Sequence, residues 1–274
     1  QLSRFWLAES YYRNDQYDDA IKVYTDLYNT SALYGRTESY LITYNIAYCH
    51  FKKADYASAL KWFDEYLDEK ETMFRKDALV RRADCFFISK KYKEACAAYD
   101  LVLDDYFNAD DIYPYYQAAL SYYEKKDYNR ALQLFDVLQA AYRGKPQGEE
   151  VAFLTAECYY NMKDYNIASH YYKRFVVNYP FSKKAEPSLF RSACCYYLDS
   201  PNISLDQTET YTAISELQSF VDLYPQSELV DSANVIIDTL RYKLQEKDFN
   251  TCMMYYKMEE YQAAITTFEA FIKD

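Results

Sequence analysis

The sequence predicts an all-α solenoid of about seven stacked helix–turn–helix units, on three observations. Glycine is scarce, with three in 274 residues beside six prolines, and folds made of strands and tight turns need more punctuation than that. A string of Ala, any residue, a small residue and two rings recurs as AESYY (8–12), AYCHF (47–51), ADCFF (83–87), ALSYY (119–123), AECYY (156–160) and ACCYY (193–197), with CMMYY (252–256) as a variant. A second string, Tyr-x-x-Ala with a ring four residues on, follows as YDDAIKVY, YASALKWF, YKEACAAY, YNRALQLF, YNIASHYY and YQAAITTF. In these six units the two small anchors lie twelve residues apart, and the first five units advance by 36–39 residues. A fixed period in that range signals a stacked repeat.

Each element has a physical reason. In the first helix of a unit, helix A, a small residue such as Ala47, Ala83, Ala119 or Ala156 lets its partner approach. The ring three positions on shares that face. In helix B, Ala59, Ala95, Ala131 and Ala168 match, and Phe63, Tyr99, Phe135 and Tyr172 pack one turn later. Turns such as KKDY (125–128) and MKDY (162–165) are short enough that the two helices must be antiparallel neighbours. One hairpin cannot bury its apolar face alone, so hairpins stack. These residues resemble the tetratricopeptide repeat (TPR) family, across nearly the whole chain, which implies a right-handed superhelix with helix A lining the concave wall.

The later units differ from the earlier ones. Their junctions read YPFS (179–182) and YPQS (224–227), where Pro stops helix B and Ser can cap the next helix A. In the sixth unit the anchors Ala193 and Ala213 are 20 residues apart, so eight residues are inserted between its helices. From Ala213 to Cys252 is 39 residues against 24 to 27 elsewhere, and the periodicity of Leu229, Ala233, Ile236, Ile237, Leu240 and Leu244 predicts one long helix over about 227–258.

Composition excludes several functions. A net charge of −11 argues against nucleic acid or an anionic membrane surface as the main partner, and no apolar run is long enough to span a membrane. Seven cysteines without a CxxC pair suggest neither a disulfide framework nor a zinc site, and they read as small apolar fillers. With two histidines, His50 and His170, and no nucleotide, metal or nucleophile motif, the chain reads as a non-enzyme without cofactor. The acidic runs at 68–71 and 103–106 read as solvated helix ends.

Binding is therefore the expected activity. The repeat register nominates Phe5, Tyr12, Tyr44, Tyr48, Phe51, Phe87, Tyr116, Tyr123, Phe153, Tyr160 and Tyr197 as groove rings for a protein or peptide. Rings give large contact area at low entropy cost. The alternative is that half or more of them only pack the seams between helices A and B.

The string YLDSPNISLDQTETYTAISELQSFVDLYPQSEL, with the long helix and MMYYKMEEYQAAITTFEAFIKD after it, resembles the BamD family, the lipoprotein component of outer-membrane β-barrel assembly. The resemblance covers roughly 113–274. It implies a pocket for unfolded barrel segments at about 115–180. It also implies a docking surface for the periplasmic domains of the barrel-forming partner on the last repeats and long helix, where Arg241, Lys243 and Lys247 are the basic candidates. The family is periplasmic and lipid-anchored to the outer membrane; with no anchor or signal in the sequence, the chain is expected to be soluble. Residues 1–112 read as about three generic repeats and 113–274 as about four, joined through a shared helix near 112–125. The different junction styles and the cut-looking ends lead to the expectation of an engineered fusion, against the alternative of a natural receptor with an aromatic groove.

Overall fold

The structure is a computed structural model that describes residues 1–273 except 32, 35–36, 69–72, 107, 109–110 and 143–144. Most of the acidic run at 68–71 lies outside the described residues. Those described form fourteen α-helices and no strands, arranged as seven consecutive hairpins. The chain divides into two compact units, 1–141 and 142–274.

The first unit holds four hairpins. They are α1 (Leu2–Arg13) with α2 (Tyr17–Asn29), α3 (Thr37–Lys52) with α4 (Tyr56–Leu67), α5 (Arg75–Ile88) with α6 (Tyr92–Asp105), and α7 (Ile112–Glu124) with α8 (Tyr128–Ala141). The anchors Ala8, Ala20, Ala47, Ala59, Ala83, Ala95, Ala119 and Ala131 are all inaccessible to solvent. That is the role of a small residue where two helices touch. Tyr24, Phe63, Tyr99 and Phe135, one turn beyond each helix-B anchor, are equally buried.

The second unit holds α9 (Gln147–Met162) with α10 (Tyr165–Asn178), α11 (Ala185–Asp199) with α12 (Thr208–Leu223), and α13 (Val230–Lys257) with α14 (Tyr261–Lys273). Its anchors Ala156, Ala168, Ala193, Ala213 and Ala264 are buried too. At the YPxS junctions the serine links successive A helices. Ser182 accepts from the Lys184 N–H at 3.0 Å and donates to Glu149 at 2.6 Å. Ser227 repeats this with Leu229 and Glu186. Gly148, in the first turn of α9, permits a close approach: an added Cβ would lie 2.8 Å from the Tyr142 carbonyl oxygen.

Six of the seven hairpin turns share a backbone device. Asp15, Ala54, Lys90, Lys126, Lys163 and Glu259 have φ between 58° and 67°. Each stands three residues after the second ring of helix A. The N–H of the next residue bonds five residues back, as in Asp127 to the Tyr122 carbonyl at 2.9 Å. This closes helix A with a left-handed residue. None of the six is glycine, so each carries a steric cost of about 1–2 kcal/mol. The sixth hairpin breaks the pattern, with Ser200 leaving α11 at φ −59° and ψ 119° into the eight-residue loop 200–207.

The long helix is present as 28 residues, Val230–Lys257. Its first half packs Ala233, Ile237 and Leu240 in one apolar cluster with Ala213, Leu217 and Phe220. Among the described residues no helix is long and apolar enough to cross a membrane.

Candidate functional site: an aromatic groove

In three hairpins a buried tyrosine of helix B donates to an acid of helix A fifteen residues earlier. Tyr24 donates to Glu9 at 3.1 Å, Tyr99 to Asp84, and Tyr172 to Glu157. The acid directly follows the helix-A anchor in each case. Asp84 and Glu157 are themselves buried, and their lone pairs need donors there. Asp84 also accepts from Arg81 at 2.6 Å and Tyr113 at 3.1 Å, and burial raises its pKa. Glu157 receives the Arg191 guanidinium. In the hairpins between, the same two positions hold Tyr48 with Phe63 and Leu120 with Phe135. The sequence reading missed this alternation. Its signal was the acid after the anchor wherever the helix-B ring is Tyr rather than Phe.

Most of the rings expected in a groove have work inside the hairpins. Phe51 packs on Tyr56, Phe87 on Tyr92, Tyr123 on Tyr128 and Tyr160 on Tyr165, with centroids 5.7–5.8 Å apart. Each pair straddles the left-handed turn. Phe153 packs on Phe175 at 5.7 Å, Tyr197 lies against the cluster around Ala213, and Tyr116 is half-buried on α7.

In the second unit, cations cover the exposed faces of such rings. Lys184 lies 4.5 Å over Phe153, Lys173 5.1 Å over Tyr196, and Arg191 5.8 Å over Tyr160. Each cation is paired in turn, with Glu150, Glu216 and Glu157.

The first unit keeps an uncovered groove of about 330 Å³, within the range of ligand pockets. It is lined by Phe5, Trp6, Glu9, Tyr12 and Arg13 of α1, by Leu41, Tyr44, Asn45 and Tyr48 of α3, and by Phe74. Tyr44 stacks on Phe74 at 5.2 Å and lies 4.8 Å from Tyr48. Trp6 and Phe74 are exposed. Among the described residues no cation stacks on Trp6, Tyr44, Tyr48 or Phe74. Tyr44 donates to Asp77 at 2.9 Å and Tyr48 donates to the same carboxylate. Burial pushes the Tyr48 hydroxyl up to about 12 and raises Tyr44 as well, so both stay protonated donors. Four expected residues, Phe5, Tyr12, Tyr44 and Tyr48, thus meet here. Trp6 sits off the repeat face and Phe74 in a junction, so neither was visible in the register.

The basic residues of the long helix separate. Lys243 donates to Ser200 Oγ at 2.7 Å and to the Pro201 carbonyl, and Lys247 to the Leu205 carbonyl. They pin the inserted loop to the added turns of α13, so the two irregularities of the sequence form one structure. Arg241 faces outward, 58% exposed and 3.9 Å from Asp238. His50 contacts Asp55 at 3.0 Å, and six of the seven cysteines are buried.

Comparison with known proteins agrees with this architecture. No curated protein matches the chain. Among solved structures, the C-terminal part of a TPR repeat-containing protein from Cytophaga hutchinsonii is 16% identical, with a TM-score of 0.54 over 98% of this chain and 94% of that one. A TPR protein from Parabacteroides merdae is 12% identical, with a TM-score of 0.54 over 98% of both chains. The structure of Naa15/Naa10 bound to HypK-THB gives a TM-score of 0.60 at 13% identity, over 98% of this chain and 39% of that one. These likenesses establish the TPR fold. A tetratricopeptide repeat model matches residues 5–73, and the YfiO model, described as an outer membrane lipoprotein, matches residues 108–274. That second match spans more than half of the sequence, and the chain accordingly belongs to the YfiO family of outer membrane lipoproteins.

Proposed function

We propose that the protein is a non-enzymatic interaction scaffold that holds segments of partner polypeptides against its helix-A walls, in the service of β-barrel protein assembly at the outer membrane. The observation that carries the binding reading is the uncovered aromatic groove of the first unit. Rings left exposed in a protein that covers similar rings elsewhere with cations are available to a partner. The assembly role rests on the YfiO match at 108–274 and on the BamD-like insertion and long helix. By that resemblance, unfolded barrel segments would meet the repeats at about 115–180, and the periplasmic domains of the barrel-forming partner would meet the last repeats, with Arg241 outward. A periplasmic location with a lipid anchor follows from the same resemblance.

The family matches lend the fusion reading no support. Repeats run through both matched stretches, and one continuous TPR array is the simpler source. Retention of the intact chain on immobilised periplasmic domains of a barrel-assembly partner, or on unfolded barrel segments, tests the role. Binding to neither would overturn the assembly reading.

A further inference from the structure

The first-unit groove sets one carboxylate, Glu9, among ring faces. The Tyr44 and Tyr48 hydroxyl hydrogens are committed to Asp77, and that of Tyr24 to Glu9, while Arg81 donates to the Tyr48 oxygen at 3.2 Å and pairs with Asp77, so Glu9 is the carboxylate left facing the groove. Asn45 donates one amide N–H to Tyr24 at 3.0 Å, which leaves its other N–H and its carbonyl oxygen. Arg13, the one cation among the described residues lining the groove, bonds Glu9 at 2.9 Å. Its side chain is 76% exposed while that of Glu9 is 19% exposed. The carboxylate therefore already holds a guanidinium in a geometry that an exposed i,i+4 pair stabilises only weakly. Around it stand ring faces on which no cation stacks among the described residues, led by Trp6, the ring type that attracts cations most strongly. The chain carries a net charge of −11.

We propose that this groove takes an arginine side chain of a partner polypeptide, with the guanidinium against Trp6 and Tyr48 and bonded to Glu9 in place of Arg13. The inference rests on the groove being a polypeptide site and names what that site selects. The guanidinium supplies donors to the Glu9 carboxylate, and its planar face suits the rings. The second unit shows the same chemistry satisfied internally, where Arg191 joins Glu157 and covers Tyr160.

The test uses the intact chain and a labelled glycine–serine peptide carrying two arginines. It is compared by fluorescence anisotropy at physiological salt with peptides carrying citrulline or leucine at the same positions. The arginine peptide should bind about tenfold more tightly than the citrulline peptide, and Trp6→Ala should weaken it about fivefold. Glu9→Gln, which keeps an acceptor for Tyr24, should weaken it similarly. Asp238→Asn, an exposed acid on α13, should leave it unchanged. Equal binding of the citrulline peptide, or equal loss in D238N and E9Q, would overturn the proposal. Tighter, W6A-sensitive binding of the leucine peptide would also overturn it while leaving the groove as a polypeptide site. Insensitivity of every peptide to W6A would remove both.

Discussion

The groove of the first unit and the ring faces of the second are treated in opposite ways, although other rings of the first unit are covered too, Tyr113 by Arg81 and Tyr122 by Lys125. In the second, Phe153, Tyr160 and Tyr196 lie under Lys184, Arg191 and Lys173, and each cation is held by a carboxylate. In the first, Trp6, Tyr44, Tyr48 and Phe74 surround open space. On the proposed reading, rings are available to a partner where no neighbouring helix brings a cation over the ring face.

Breaking the covered arrangement should have the largest effect. Arg191→Met strands Glu157, whose side chain is 11% exposed, without its cation. A loss of about 3 kcal/mol in denaturant unfolding is expected. Lys243→Met removes the donor to Ser200 and Pro201 and should cost about 2 kcal/mol, with faster proteolysis within 200–207. A sharper view of the hairpins comes from Lys126→Gly, at φ 67°. It should stabilise by about 1 kcal/mol, because glycine adopts that conformation without strain. Lys184→Met uncovers Phe153 at a partly exposed pair and should change stability by only about 0.5 kcal/mol.

The seven hairpins were legible because the anchor spacing depends only on contacts within one hairpin. So were the eight-residue insertion and the long helix, which are departures from that spacing. The left-handed turns were hidden, since no glycine marks Asp15, Lys90 or Lys163. The covering cations were hidden for a different reason. Whether Arg191 reaches Glu157, 34 residues earlier, depends on how one hairpin stacks on the previous one, which periodicity does not specify. The groove was half legible: Tyr44 and Tyr48 hold repeat positions, whereas Trp6 stands beside the periodic face and Phe74 outside any repeat.

The central claim, that the first-unit groove is where partner polypeptide binds, can be read from Trp6 alone. The chain has two tryptophans, and Trp62→Phe leaves Trp6 as the sole reporter. Adding the two-arginine peptide should shift or quench Trp6 emission in step with the anisotropy of the bound peptide. Binding seen by anisotropy with no change at Trp6 would contradict the account.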